Sequence, residues 1–408
     1  MPSSSRMSSR RRGQLREAHS GMDAARSSQP ERSAVESHYD KQAVGENVNR
    51  GDYFKNRRSG PLYKYKDFAN NVKRRLIKQH AGRAASLVEL GCGRGGDINK
   101  WRDANIRNVL GVDLSADQLD DARRRERQGG GKGKGGGQTR ITWVQGSILD
   151  PTLEAQLKPK LPTPQGADAV AMMFAVQFAF GNRSDADGVL RTAAALLRPG
   201  GVFFGVAPDA AAIRAAAAPS GELRLTPPEH QFSLLLQLKK PSEAAVAAAG
   251  PQDDADDEFG QPLIFSLEDT VTNGTDETGC IEYLCSRETL TKLAEAHGLE
   301  RIECENMARS QVDRPLAQPL TEAEAHVAGL YFTFAFRKKR AVGGYDGGAS
   351  ASASDRDYGG RGRGFGGGHG GRRRSFSRSR SAERRRRSRS PVRERSYSPI
   401  RKPGWWKK

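Results

Sequence analysis

Short unbroken apolar runs recur along the middle of the chain, separated by segments in which apolar residues fall every three or four positions. The runs predict strands at 87–90, 108–113, 141–145, 167–174, 202–206, 263–267, 281–285 and 330–336. The spaced segments predict helices. Phe68, Val72 and Leu76 define one helical face with Lys73, Arg74 and Arg75 on its flank, and further helices are read at 98–102, 116–127, 185–197 and 287–297. LYFTFAF at 330–336 is apolar throughout, as suits a strand buried on both faces. Alternation of strand and helix predicts an α/β fold with a mostly parallel sheet covered on both sides.

One junction in this pattern carries chemistry. In LVELGCGRGGD, residues 87–97, an apolar strand runs into glycines at 91, 93, 95 and 96 and then into a helix start. Glycine is needed where φ is positive or where a ligand must approach the backbone closely. Asp113 closes the next predicted strand about 20 residues on, the spacing of a carboxylate that meets ribose hydroxyls. No Lys-Ser or Lys-Thr follows the turn, which argues against a phosphate cradle. Glu89, Asp97 and Asp113 together would repel a pyrophosphate, and they suit a ligand with ribose hydroxyls and an ammonium group. S-adenosylmethionine has both; a dinucleotide-dependent dehydrogenase is the competing reading.

Charge divides the chain. The formal net charge is +19, and the last 68 residues hold 19 Lys and Arg against 5 Asp and Glu, so +14 of it lies beyond residue 340. That segment contains RGRGFGGGHGGRRR, Arg-Ser repeats and Ser-Pro pairs at 390 and 398, with nothing to bury. It is expected to be a disordered basic tail that attracts RNA phosphates, its charge reversible by serine phosphorylation. Residues 1–37 are expected to be a disordered Arg/Ser-rich arm, with Arg10, Arg11 and Arg12 as a nuclear address or a solvated cluster. Between the arms lies one expected domain, 38–340. It is interrupted by a Gly/Lys insertion at 129–137 and a partly ordered insertion at 209–257 with one strand at 232–238. Cys92, Cys280, Cys285 and Cys304 have neither metal-ligand spacing nor the density of a disulfide scaffold, which fits a reducing compartment and no metal. No apolar run approaches a membrane span.

From residue 38 to 339 the chain resembles the eukaryotic messenger-RNA cap guanine-N7 methyltransferases. The matching pieces occur in order: HYD, FANNVKRRLI, LVELGCGRGGDINKW, GVDLS, MMFAVQFAF, LRPGGVFFGVAPD, FGQPLIFSLED, IEYLC and LYFTFAF. The resemblance implies a Rossmann-like class I methyltransferase with a mostly parallel seven-stranded sheet. It assigns Lys73 to the cofactor's carboxylate, Gly91 and Asp97 to its methionine and backbone side, and Asp113 to its ribose. Glu89, Gly93, Ser147 and Met173 complete the cofactor set. Phe174, Glu282 and Tyr331 fall where the family grips the cap guanine, with Asn70, Gln177 and Phe178 beside them and Arg94 and Arg125 near the phosphates. Without the family, Lys73 would read as a solvated lysine, and Phe174 and Tyr331 as core aromatics.

Three positions depart from the family. Gln177-Phe178 stands for its His-Tyr, Gly146-Ser147 for an Asp that meets the adenine amine, and Ala69 for the first Asn of a pair. Gln177 can still donate and accept, and Phe178 can still stack. The resemblance further implies a nuclear monomer that acts on 5′-capped mRNA, with contacts to capping or splicing machinery through the tail. Two other classes stay open: an RNA-processing adaptor that binds without catalysis, and a methyltransferase for another nucleic-acid or protein substrate.

Overall fold

A computed structural model describes residues 37, 40, 60–128, 139–240, 258–268, 270, 272 and 280–340. The arms expected at 1–37 (Ser37 apart) and 341–408, the Gly/Lys insertion and residues 241–257 lie outside the described residues.

The described elements run α1 (Tyr63–Ala81), β1 (Ser86–Leu90), α2 (Ile98–Asp103), β2 (Asn108–Asp113), α3 (Ala116–Gln128), β3 (Arg140–Gln145), α4 (Leu153–Leu157), β4 (Ala167–Met173), α5 (Arg183–Leu196), β5 (Leu197–Pro208), α6 (Ala210–Ala217), β6 (Glu222–Leu225), β7 (Leu234–Leu238), β8 (Pro262–Leu267), β9 (Cys280–Tyr283), α7 (Arg287–Ala296), β10 (Leu299–Asn306), α8 (Glu322–Gly329) and β11 (Tyr331–Lys338). Seven strands form the main sheet in the order β10-β11-β5-β4-β1-β2-β3. β3, β2, β1, β4 and β5 are parallel, and β11 enters antiparallel between β5 and β10. The chain grows outward from β1 to β3, then crosses back to β4 on the other side of β1. Such a reversal opens a crevice at the carboxyl ends of the two strands, where open α/β sheets bind ligands. The glycine turn leaves β1 at that crevice.

The long apolar strands are explained by two cores, one on each face. Along β4, Ala169, Ala171 and Met173 face the core that holds α1 and α2, while Val170 and Met172 face the core that holds α5 and α7. β5 and β11 divide in the same way, with Phe204 and Ala335 on the first side and Phe203, Phe334 and Phe336 on the second. Trp101 of α2 is fully buried in the first core. No described helix is long and apolar enough to cross a membrane.

Helix ends and a salt bridge hold the outer layer. Asn182, Ser286 and Thr321 cap α5, α7 and α8 through side-chain oxygens, and Thr321 forms a full capping box with Glu324. Glu324 also accepts from the amide of Tyr65 at 3.2 Å, which ties α8 to the first turn of α1. Farther along α1, Arg75 donates twice to Glu303 of β10, at 2.6 and 2.8 Å.

Several features depart from the sequence expectation, among them α4 and α8, which form where no element is read. The sequence pattern predicts no element at 299–306, where β10 forms, because LERIECEN lies at a sheet edge with one exposed face and has no apolar run. β6, β7, β8 and β9 form a separate four-stranded antiparallel sheet. In the segment read as a partly ordered insertion with one strand at 232–238, that strand forms as β7, and α6 and β6 are formed elements beside it.

Candidate active site

The glycine turn is fixed from below by β2. The amides of Gly91 and Cys92 both donate to the Val112 carbonyl, at 2.8 and 2.9 Å, and the Gly93 amide donates to Oδ2 of Asp113 at 2.6 Å. Gly91, Gly93 and Gly95 have φ of 73°, 50° and 67°. A Cβ on Gly91 would stand 2.6 Å from that of Ala175, so this position excludes any side chain. At Gly93 the nearest atom to such a Cβ is Gln118 Oε1 at 3.8 Å, and at Gly96 nothing lies within 4 Å. The turn thus presents bare backbone to a ligand, beside the half-buried Asp113. Oδ1 of Asp113 accepts from the Ser115 amide, and burial raises its carboxyl above the ordinary value. Ser115 Oγ in turn donates to Asp40 of the HYD motif at 2.5 Å.

Behind the turn two buried acids are treated oppositely. Asp97, 3% exposed, lies between Lys73 Nζ at 2.5 Å and Lys100 Nζ at 2.6 Å. Burial pushes its carboxyl up, but Lys100 and Lys73 outweigh it and hold Asp97 well below the usual carboxylate range. Glu89, 1% exposed, points to the same side of β1 and accepts from Trp101 Nε1 at 2.8 Å. Burial and the charge of Asp97 drive Glu89 well above that range. Burial brings Lys100 down to about 8 against the opposing pull of Asp97. The Lys-Trp that follows Gly-Gly-Asp therefore has a physical meaning: one turn of α2 returns a cation to Asp97 and an indole donor to Glu89.

Across the crevice stands an aromatic and acidic wall. Phe174 follows β4 directly with φ of 63°, its amide donating to the Val206 carbonyl at 2.9 Å. Its ring meets Tyr331 edge-on, centroids 5.1 Å apart, and Tyr331 meets Phe265 edge-on at 5.8 Å. Tyr331 shares a hydrogen bond with Tyr65, and burial raises both phenols. Glu282 on β9 is 4% exposed; burial pushes its carboxyl up to about 7, against a hydrogen bond from Gln177 that lowers it. Gln177 donates Nε2 to the Phe174 carbonyl at 3.0 Å, while its buried Oε1 has no partner among the described residues. The wall thus offers angled aromatic faces, a carboxyl and a spare acceptor, which suits a planar base with several N–H donors.

Lys73 belongs to both halves: its Nζ is also 5.8 Å from the centre of the Phe174 ring. Met173, buried, ends β4 at the same crevice. Phe178 is half-buried in the short turn after β4. Arg94 pairs with Asp121 of α3 at 2.9 Å, and Arg125 lies half-buried on the same helix. Asn70 donates back to the Lys66 carbonyl at 2.7 Å, and Ser147 Oγ accepts from the Leu149 amide at 3.2 Å. Sequence reasoning singled out neither Lys100 nor Tyr65 as a site residue. Tyr65 continues the 68, 72, 76 spacing one turn earlier, a signal that was available. Among the described residues, no group of three His, Cys, Asp or Glu side chains is placed to hold a metal ion.

Strand order, reversed β11 and glycine turn define a class I S-adenosylmethionine-dependent methyltransferase fold. Residues 22–314 match the mRNA (guanine-N(7))-methyltransferase domain, and the chain belongs to that family. Over 272 residues it is 27% identical to the mRNA cap guanine-N(7) methyltransferase of Saccharomyces cerevisiae, covering 64% of this chain and 57% of the relative. Over 250 residues it is 26% identical to mRNA cap guanine-N(7) methyltransferase 1 of Arabidopsis thaliana, covering 61% and 62%. The chain therefore spans less than two thirds of the length of these curated relatives. Among solved structures, an S-adenosylmethionine-dependent methyltransferase from Clostridium acetobutylicum aligns with 68% of this chain and 92% of its own, at 14% identity and a TM-score of 0.40.

Proposed function

We propose that the protein transfers the methyl group of S-adenosylmethionine to N7 of the guanine that caps messenger RNA. The observation that carries this reading is the double position of Lys73, 2.5 Å from Asp97 behind the glycine turn and 5.8 Å from the Phe174 ring centre. One cation joins the two walls, so donor and acceptor sites adjoin. Lys73 would hold the cofactor's carboxylate, Gly91, Gly93, Glu89 and Asp97 its methionine side, Asp113 its ribose, and Ser147 and Met173 its adenine end. When bound, the cofactor supplies a methyl group already activated by its sulfonium.

Guanine N7 carries a lone pair and no proton, so the chain needs no general base. Its work is positioning and electrostatics. Phe174, Tyr331 and Phe178 confine the base, and Glu282 accepts from its N1 and N2 hydrogens. Gln177 Oε1 supplies the second acceptor. Arg94, Arg125 and Asn70 serve the triphosphate side. As the base becomes positively charged, the desolvated carboxylate of Glu282 favours that charge more strongly than it would in water. The acceptor is 5′-capped mRNA, the protein acts as a monomer in the nucleus, and the basic tail at 341–408 tethers RNA or the processing machinery.

The test is methyl transfer from radiolabelled S-adenosylmethionine to guanosine-capped RNA, with uncapped RNA as control. Transfer to the capped RNA alone is expected. No transfer would favour the adaptor class, and transfer to the uncapped control a different substrate.

A further inference from the structure

Asp97 has two cations where one would neutralise it. Lys73 and Lys100 take opposite carboxylate oxygens, Lys73 at Oδ2 and Lys100 at Oδ1. Their surroundings differ. Lys100 is 4% exposed at its side chain and also donates to the Gly96 carbonyl at 3.0 Å, so it is anchored within the turn. Lys73 is 17% exposed and reaches in from α1 toward the Phe174 face of the crevice. The three groups together carry one surplus positive charge, which a single incoming carboxylate would match.

Were Lys73 the sole partner of Asp97, lending its ammonium to a ligand would strand a buried carboxylate, which is strongly unfavourable. A second, fixed cation removes that obstacle. We propose that Lys100 is a positioning residue for S-adenosylmethionine: by holding Asp97 it frees the Lys73 ammonium for the cofactor's carboxylate. The inference rests on the cofactor reading above and is independent of the methyl acceptor.

Calorimetric titration of the full chain with two probes tests it. S-adenosylhomocysteine carries the amino-acid carboxylate, and 5′-methylthioadenosine lacks that whole end while keeping adenine, ribose and sulfur. In Lys100→Met, affinity for S-adenosylhomocysteine is expected to fall about tenfold or more, the scale of a lost charge-assisted pair, with 5′-methylthioadenosine changed less than about twofold. Lys100→Gln, which keeps a donor for the Gly96 carbonyl but no charge, should show the same selective loss and guards against a misfolded first variant. Lys73→Met should lose the same preference, and the double variant little more, because the two lysines act on one carboxylate. Equal weakening of both probes, or no change in either, would overturn the inference while leaving the cofactor reading standing. Failure of the unaltered protein to bind either probe would instead overturn the cofactor reading, and this inference with it.

Discussion

The indole Nε1 of Trp101 donates to Oε2 of Glu89 at 2.8 Å, tying α2 back to β1 beneath the glycine turn. Both side chains are buried, so neither can exchange this bond for water. Trp101→Phe keeps a large ring but leaves a buried carboxyl oxygen without its donor. It should lower unfolding stability by about 1–3 kcal/mol, measured by urea denaturation, and weaken S-adenosylhomocysteine binding in the same protein.

Much of the scaffold was legible because burial on both sheet faces leaves unbroken apolar runs. The strand that carries Val170 and Met172, and the one that carries Phe334 and Phe336, announce themselves in this way. β10 did not, since Glu300, Arg301 and Glu303 sit on an edge strand with one covered face. The second sheet was illegible as a sheet because its pairing joins β7 to β8 across residues 239–261, a separation that local periodicity cannot encode. The site followed the same division. Glu89, Asp97 and Asp113 lie close in sequence to the glycines that give them meaning. The contact of Gln177 with Glu282 depends on two sheets meeting and leaves no trace in spacing.

Arg75 and Glu303 fasten α1, the helix that bears Lys73, to β10. Burial pushes Glu303 up, but hydrogen bonds from His80, Arg75 and Thr333 outweigh it and hold the carboxyl at about 2, below its ordinary 4.5. A depressed acid stabilises the fold above its unfolded value and loses that contribution as pH falls through its folded one. Arg75→Met leaves the carboxylate with only His80 and Thr333 and should cost about 1.5–3 kcal/mol near neutral pH, the scale of a lost hydrogen bond to a charged group. Its acid-unfolding midpoint, followed by circular dichroism, should move to higher pH than that of the unaltered protein.

Phe174 holds a left-handed backbone, φ 63°, that side chains other than glycine seldom adopt, and the strain sits where its ring faces the crevice. Phe174→Gly removes the strain together with the ring. Lost stacking should weaken capped-RNA binding by about 1–3 kcal/mol, measured by fluorescence anisotropy. Binding of S-adenosylhomocysteine should change far less, and a parallel fall in both affinities would place the ring in the cofactor site instead.

Glu282 joins the acid chemistry of the wall to pH. Its carboxyl, raised by burial to about 7, is neutral in mild acid and charged in mild base. In the proposed reaction, the charged form accepts N–H donors at both oxygens and offsets the positive charge that the guanine would acquire, whereas the neutral acid carries a proton on one oxygen and no charge. Cap methylation should therefore rise with pH and level off above about 7, and Glu282→Gln should flatten that rise. The stability sign is opposite: a raised acid contributes fully below its unfolded value and loses that contribution as pH climbs through its folded one. Free of ligand, Glu282→Gln should thus gain stability relative to the unaltered protein between about pH 5 and 8. Glu282→Ala should lower kcat/KM for capped RNA by about a hundredfold, the scale of one lost electrostatic partner in a dry site, with cofactor affinity preserved. A variant that lost cofactor binding along with activity would show that Glu282 acts on the donor side of the crevice, and the pH rise would then belong to another group.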